Sequence, residues 1–562
     1  MDENSYDQVP YPALSYTPTH PDRLALMARL MGMDPAPVEE CRVLELGCAV
    51  GGNLIPMAHG LPGSRFVGID NSARQVAEAQ ASAAALGLQN VDFRHLDILD
   101  VGPDLSEFDY IIAHGIYSWV PPAVQAKIFQ ICRHNLAPQG VAYVSYNTYP
   151  GWHMVRIVRD MLLYHTRHIE DPLQRASQAR AVLEFFAQAT TLSDPATAPP
   201  GSDQALAYGS FLSMYAGVVN EKLDGSSGRH ATLVLHDEMA EINEPLYFYQ
   251  FAEEAQRHGL QYLGEADFSG MRGRLPTGSD VPPQVAAGLR RLAGDLVELE
   301  QAVDFMHNRM FRRTLLCHGA VDLPQRVSPD AVRAFYMTSR ARPASPDPDL
   351  FSLSRVKFQV ASSHAEGDGP AITTNHPVSK LALHYLAEQW PAPVSFERLL
   401  STARDRWQAA APQPDGPTEE VDAEVLAANL LTAYGYSNSL VDLYTYLPPF
   451  VPEVSERPVA SAVARFQVQA NTQQPGSSLV TNLRHERVTM DSLDSFLLYH
   501  LDGSRDRAAL LDLLMAGPVA QGVLTVQGEG PMSQDDTQIR AVLAEEVEQK
   551  LDWLACAALL VA

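Results

Sequence analysis

The chain has 562 residues, of which 46% are hydrophobic and 19% charged, a composition typical of a globular protein with about three domains. No apolar run approaches the ~20 residues that a membrane-spanning helix needs, which predicts no membrane insertion. The formal net charge of −26 argues against a non-specific nucleic-acid binder, because phosphate neutralisation needs clustered Lys and Arg.

The first 165 or so residues alternate short apolar strands with helices. Strands are predicted at 42–46, 65–69, 91–94, 109–113 and 140–146, with helices near 22–33, 53–60, 72–87 and 122–135. Parallel strands that alternate with helices imply a doubly wound sheet. The sequence therefore predicts an α/β domain with a Rossmann-like sheet over residues 1–165.

The rest of the chain is predicted to form three further units. Residues 166–340 are mostly helical, and a cluster of breakers at 341–349 marks a linker. Beyond it, a weak internal repeat combines short helices with apolar strand-like tails, which predicts winged-helix-like units at 350–452 and 460–562. Residues 351–562 contain 14 Lys and Arg against 26 Asp and Glu, so we expect these units to contact protein rather than DNA.

The most informative motif is a glycine-rich turn after the first strand. Its pattern is Glu45-x-Gly47-x-x-x-Gly51-x-Asn53, and the second strand ends in Asp70. Glycine lets the backbone approach a ligand, and a carboxylate at the tip of the second strand can accept both hydroxyls of a ribose. The turn departs from the Gly-x-Gly-x-x-Gly that cradles a pyrophosphate, while its acidic and polar residues suit a zwitterion. The glycine-rich turn and Asp70 together predict S-adenosylmethionine as the cofactor.

Further cofactor contacts are expected where later strands end. Asp97 follows the third strand and is placed to accept the adenine amino group while Ile98 lies against the ring. The alternative for Asp97 is a helix N-cap. The predicted cofactor-binding residues are Tyr16, Glu45, Gly47, Cys48, Asn53, Asp70, Asn71, Gln75, Asp97, Ile98, His114 and Gly115.

Aromatic residues follow the fourth and fifth strands, and a proline-rich segment at 11–21 suits a flap over the cofactor. Aromatic faces attract a sulfonium and an alkylated ammonium, although Tyr117 and Trp119 can equally pack under a neighbouring domain. The residues predicted to line a methyl-transfer channel, as catalytic candidates, are Tyr16, Tyr117, Trp119 and Tyr146. His153 is interpreted as structural. No metal site is predicted, since His165 and His168 lack a well-spaced third ligand.

Charge and cysteine usage bear on partners and compartment. An acidic protein can attract a basic substrate such as a lysine-bearing segment, or the charge can serve solubility alone. The N-terminus is acidic, with Asp2 and Glu3, and begins no apolar stretch, which predicts no secretory signal. The five scattered cysteines are typical of reduced thiols, so we expect a cytoplasmic protein.

Four motifs in the first 153 residues resemble those of one family, the bacterial class I methyltransferases that contain a methyltransferase regulatory domain. They lie at 16–23, 44–58, 113–121 and 146–153. Residues 243–248 and 259–266 are similar to the regulatory domain, and the tail resembles the family's C-terminal winged-helix-like domain.

This resemblance implies a function that composition and spacing do not give. Characterised relatives include lysine methyltransferases that act on bacterial outer-membrane proteins, so it implies methyl transfer from S-adenosylmethionine to a protein lysine, and a homodimer. Two alternatives stay open: a methyltransferase for a small molecule or natural product, and a regulator that binds S-adenosylmethionine without catalysis.

Overall fold

A computed structural model describes residues 12–191, 203–224, 235, 237–270, 283–324, 326–361, 369–410, 417–471, 478–520 and 536–562. Tyr11, at the start of the predicted flap, and the acidic Asp2 and Glu3 lie outside this range. Among the described residues, no helix combines the length and the apolar character needed to cross a membrane.

A seven-stranded sheet forms the centre of the N-terminal half. Its strands are β1 (Arg42–Leu46), β2 (Arg65–Asp70), β3 (Val91–His95), β4 (Phe108–Ala113), β5 (Leu136–Asn147), β6 (Leu260–Glu265) and β7 (Phe311–His318). Their order across the sheet is β3-β2-β1-β4-β5-β7-β6. Strands β1 to β5 are parallel, whereas β7 runs antiparallel to both β5 and β6. Four of the five β1 residues are buried, as expected for a strand covered on both faces.

Helices cover both faces of this sheet. They are α1 (Pro21–Leu30), α2 (Leu54–Gly60), α3 (Ala73–Ala85) and α4 (Pro122–Asn135). Local sequence explains two of their starts. The His20 side chain accepts a hydrogen bond from the Asp22 N–H before Pro21 opens α1, and the Ser72 hydroxyl caps α3 at the Gln75 N–H. The predicted strands and helices of this part are confirmed, although β5 begins at Leu136 rather than at 140.

The predicted helical unit at 166–340 differs from the structure in one respect. Helix α5 (Trp152–Thr166) ends at its first residue. The unit itself contains α6 (Pro172–Thr191), α7 (Asp203–Asp224), α8 (Phe248–Arg257), α9 (Pro283–Leu292) and α10 (Leu296–His307), and also the two strands β6 and β7 that complete the sheet. The sheet therefore extends beyond the predicted boundary at 165. Helices α5 to α7 share a hydrophobic cluster of their own, which includes Val158, Leu183 and Leu212.

Beyond the sheet, helices pack with small β ribbons. The first group contains the helices α11 (Pro377–Gln389), α12 (Phe396–Ala410) and α13 (Glu419–Tyr436). One of its three-stranded sheets consists of β8 (Tyr336–Thr338), β12 (Val394–Ser395) and β13 (Asp442–Tyr444). The other consists of β9 (Arg342–Pro343), β10 (Val356–Gln359) and β11 (Ala371–Thr374). The second group contains α14 (Ala462–Asn471), α15 (Ser492–His500), α16 (Arg507–Leu514) and α17 (Asp536–Cys556), with the hairpin of β14 (Ser478–Thr481) and β15 (Arg487–Met490). We call the second group the C-terminal domain.

Candidate active site

A cavity of about 470 Å³ opens at the carboxyl ends of β1, β2 and β4. This is the edge of an open α/β sheet where ligands bind, and its size falls within the range of small-molecule sites. All twelve predicted cofactor-binding residues line it: Tyr16, Glu45, Gly47, Cys48, Asn53, Asp70, Asn71, Gln75, Asp97, Ile98, His114 and Gly115. The structure therefore brings the whole predicted set together.

The glycine-rich turn forms the floor of the cavity and cannot tolerate larger residues. Gly47 has φ +73°, and a Cβ there would collide with the Ile116 side chain. A Cβ on Gly52 would lie 2.6 Å from the backbone nitrogen of Leu14. The segment before α1 thus lies directly on the turn, as predicted for a flap.

Asp70 at the tip of β2 fixes the two loops on either side of it. Its Oδ2 accepts a hydrogen bond from the Ala49 N–H at 2.9 Å, and its Oδ1 accepts one from the Ser72 N–H at 2.9 Å. Each carboxylate oxygen can accept more than one hydrogen bond. The half-buried group can therefore hold the glycine turn and accept ligand hydroxyls at the same time.

Glu45 and Asn53 form a buried polar pair on the opposite wall. The Asn53 amide Nδ2 donates to Glu45 Oε1 at 2.6 Å. Within the described part of the chain, Glu45 Oε2 is buried without a hydrogen-bond partner. Burial raises the pKa of Glu45 to about 7; the Asn53 bond opposes this rise, and the charge of Asp70 adds to it. An unsatisfied buried carboxylate oxygen beside a cavity is suited to a cationic ligand group.

The Asn53 side-chain oxygen receives hydrogen bonds from two distant parts of the chain. The Tyr16 N–H of the flap donates to it at 3.0 Å, and His485 Nε2 of the C-terminal domain lies 2.8 Å away. Because the backbone N–H can only donate, Asn53 Oδ1 must face it, and His485 must then donate through Nε2. Sequence reasoning missed His485, since nothing in its local sequence signals a site.

The rings of Tyr16 and His114 are in contact in the cavity lining, tilted by 43° to each other, with centroids 3.9 Å apart. His114 Nδ1 lies 2.9 Å from the Tyr143 hydroxyl. Burial, together with the nearby charges of Arg313 and Arg487, lowers the pKa of His114 to about 3. The imidazole is therefore neutral at physiological pH and a weak base.

Two of the four channel candidates do not reach the cavity, so the prediction for Tyr117 and Tyr146 is wrong. Tyr146 is 1% exposed, stacks on Phe251 at 4.2 Å and hydrogen-bonds Thr314. Tyr117 is 3% exposed and packs edge-on against the same Phe251. Both side chains belong to the apolar layer under α8. For Tyr117 this is the packing alternative that the sequence left open.

Trp119 and Asp97 do line the cavity. Trp119 packs edge-on against Trp152, with centroids 6.3 Å apart. Asp97 Oδ1 accepts the Leu99 N–H at 2.8 Å, so the N-cap alternative holds for that oxygen. His153 lies outside the cavity lining and stacks on Tyr149, as expected for a structural residue.

Sequence models of three protein families match separate parts of this chain. The methyltransferase domain matches residues 43–140, a predicted methyltransferase regulatory domain matches residues 230–318, and the PKMT C-terminal winged helix domain matches residues 456–559. An uncharacterized protein of Rickettsia prowazekii, RP789, is 33% identical over 563 residues, which cover 100% of this chain and 94% of that protein. The chain belongs to the S-adenosylmethionine-dependent methyltransferases with a regulatory and a winged-helix domain.

Solved structures support the same family. PKMT2 from Rickettsia typhi in complex with AdoHcy matches with a TM-score of 0.82 and 27% identity, over 98% of this chain and 100% of that one. A second structure of the same PKMT2 gives a TM-score of 0.80. These matches confirm the predicted family, the α/β class of the methyltransferase and its C-terminal winged-helix domain. The winged-helix-like unit at 350–452 stays a prediction.

Proposed function

We propose that this methyltransferase transfers a methyl group from S-adenosylmethionine to the ε-amino group of a lysine in a protein acceptor. The observation that supports it most directly is the match to PKMT2, a protein lysine methyltransferase, over 98% of this chain and all of that one. A similarity restricted to the methyltransferase domain would leave the acceptor open. Here the accessory domains match as well, and they suit a macromolecular acceptor.

The cavity residues fit S-adenosylmethionine from end to end. Asp70 would accept the ribose hydroxyls, and Asp97 with Ile98 would hold the adenine. The buried Glu45 Oε2, which has no partner in the described part of the chain, would accept the ammonium of the amino-acid end. When bound, the cofactor supplies a methyl group activated by a sulfonium.

Aromatic side chains would face the reacting end of the cofactor. Tyr16 and Trp119 line the cavity, and their faces favour a cationic sulfonium and a methylated ammonium. His114 is a poor general base, since its pKa lies near 3. The acceptor lysine would therefore enter as the neutral amine, and the protein would contribute orientation and exclusion of water.

Cofactor binding is expected to tighten as pH rises toward 7. Burial raises the pKa of Glu45 to about 7, so the carboxyl is protonated at lower pH. It must then lose this proton before it can accept a hydrogen bond from the cofactor's ammonium group. We expect the Kd for S-adenosylhomocysteine to increase by up to about tenfold for each pH unit below that pKa. Calorimetric titrations between about pH 5.5 and pH 7.5 would measure this. Glu45→Gln is the control: it should bind more weakly with a flat profile, and a flat wild-type profile would contradict the role of Glu45.

Lysine specificity is tested with methyl-tritiated S-adenosylmethionine and a lysate of cells that lack this protein. We expect label in the protein fraction, and loss of that label when the lysate lysines are first acetylated. An Asp92→Asn enzyme, changed at an exposed residue of β3, is the control for carboxylate substitutions and should label normally. Label confined to small molecules would instead favour a natural-product methyltransferase. Cofactor binding without label in any fraction would favour the non-catalytic regulator.

We further propose that the methyltransferase acts in the cytoplasm as a homodimer. The resemblance to the lysine methyltransferases supports the dimer, and the scattered cysteines support a reducing compartment. Light scattering should then give about twice the chain mass of 61.6 kDa. A mass equal to one chain at micromolar concentration would contradict the dimer.

A further inference from the structure

The C-terminal domain reaches the cofactor cavity through the turn of its hairpin. This turn, residues 482–486, connects β14 and β15, and its His485 lies 2.8 Å from Asn53 although 432 positions separate them in sequence. Helix α14 of the same domain lies beside α2, which follows the glycine turn. The domain that matches the PKMT C-terminal winged helix model is thus in direct contact with a wall of the cavity.

The backbone of His485 adopts an uncommon conformation. Its φ is +61°, a left-handed conformation that histidine adopts more readily than most residues. The side chain is 2% exposed, and burial lowers its pKa to about 3. The ring is therefore neutral and donates a single hydrogen bond through Nε2 to Asn53.

The hairpin also holds the flap down on the glycine turn. The Thr17 hydroxyl donates to the His485 carbonyl at 2.8 Å, and the Thr481 hydroxyl lies 3.1 Å from that of Ser15. On its other side the flap lies against Gly52. The flap is thus enclosed between the methyltransferase domain and the C-terminal domain.

A continuous chain of hydrogen bonds leads from the C-terminal domain to the cavity. His485 and the Tyr16 N–H fix the oxygen of Asn53, and the Asn53 amide then fixes Glu45 Oε1 at 2.6 Å. The remaining Glu45 oxygen is the one buried beside the cavity without a partner among the described residues. Buried polar networks of this kind orient their members strongly.

We propose that His485 is a positioning residue for the amino-acid end of S-adenosylmethionine, so that cofactor binding and docking of the C-terminal domain stabilise each other. The coupling is reciprocal by thermodynamic necessity. An acceptor protein that binds the docked C-terminal domain more tightly than the undocked one would thereby tighten cofactor binding. This proposal rests on the cofactor assignment of the proposed function.

The test compares two ligands, S-adenosylhomocysteine and methylthioadenosine, which share the adenosine but differ in the amino-acid end. The first variant, His485→Asn, keeps a residue that tolerates the left-handed conformation but is too short to reach Asn53. The second, His485→Gln, retains an N–H donor of suitable reach. Thr489→Ala, at an exposed position of β15, is the matched control. Melting temperatures establish that each variant folds.

For His485→Asn we expect a Kd for S-adenosylhomocysteine about tenfold above wild type, as the loss of one buried hydrogen bond predicts. Its Kd for methylthioadenosine should stay within about twofold of wild type, and His485→Gln should restore most of the S-adenosylhomocysteine affinity. Equal weakening of both ligands would show a merely structural role and overturn the proposal, as would unchanged binding of both. If wild type binds neither ligand, the cofactor assignment itself fails, and the proposal with it.

Discussion

Replacement of Asp70 by Ala is expected to raise the Kd for S-adenosylhomocysteine by about 100-fold or more. The substitution removes the acceptor of the Ala49 and Ser72 N–H groups, each at 2.9 Å, and the proposed acceptor of the ribose hydroxyls. Hydrogen bonds to a charged group contribute about 1.5–3 kcal/mol each, so two lost ribose contacts account for a change of this size. Isothermal titration calorimetry measures it, and Asp92→Asn again serves as the matched control.

A ligand analogue separates lost ribose contacts from a disturbed glycine turn. An S-adenosylhomocysteine without its 2′-hydroxyl should bind wild type more weakly than the parent compound. The same analogue and its parent should bind Asp70→Ala with nearly equal affinity, because the hydroxyl then has no carboxylate to contact. If removal of the 2′-hydroxyl weakens ligand binding to wild type and to Asp70→Ala by the same factor, Asp70 does not bind the ribose.

Replacement of Arg312 by Met is expected to cause the largest loss of stability. Arg312 is fully buried on β7 and pairs with Glu265 at 2.5 Å, Asp304 at 2.8 Å and Glu300 at 3.3 Å. Removing one partner from a buried ion pair typically costs about 3–5 kcal/mol, because the remaining charges lose their compensation. The expected result is a decrease of the melting temperature by about 10 °C in scanning fluorimetry at neutral pH.

The pH dependence of the stability loss in Arg312→Met identifies the cause of that loss. Burial already raises the pKa of Glu300 and of Asp304, and the charge of Arg312 opposes that rise. Without Arg312 these carboxyls will bind protons more readily, so the deficit relative to wild type should shrink as pH falls toward about 5. Arg257→Met, at an exposed ion pair of α8, should leave the melting temperature nearly unchanged. If Arg312→Met lowers the melting temperature at neutral pH no more than Arg257→Met does, the buried ion pairs of Arg312 do not stabilise the fold.

The same buried ion pairs explain why the sequence did not predict β6 and β7. The β7 strand contains Arg312 and Arg313, and β6 ends in Glu265, so neither strand has the continuous apolar pattern of a central strand. In the structure Glu265 and Arg312 pair with each other inside the protein. By contrast, β1, β2, β4 and β5 have apolar runs near turn residues, and their carboxyl ends could be read directly.

Strand geometry explains which of the predicted residues lie at the cavity and which do not. Residues such as Glu45 and Asp70 stand at or near the end of a predicted strand, where the topology alone places them at one edge of the sheet. Tyr146 was assigned wrongly because successive side chains of β5 point to opposite faces. Tyr143 and Ser145 face His114, whereas Tyr146 faces Phe251. The contact of His485 depends on the packing of a distant domain, which no local pattern shows.

Transfer of methyl groups to protein lysine is the central claim, and amino-acid analysis tests it most directly. Protein labelled with methyl-tritiated S-adenosylmethionine by the wild-type enzyme is hydrolysed completely, and its amino acids are separated against methyl-lysine standards. The account predicts that the label elutes with ε-N-methylated lysines and is absent when Asp70→Ala replaces the wild-type enzyme. Label that elutes with any other amino acid, or that stays outside the protein fraction, would contradict it.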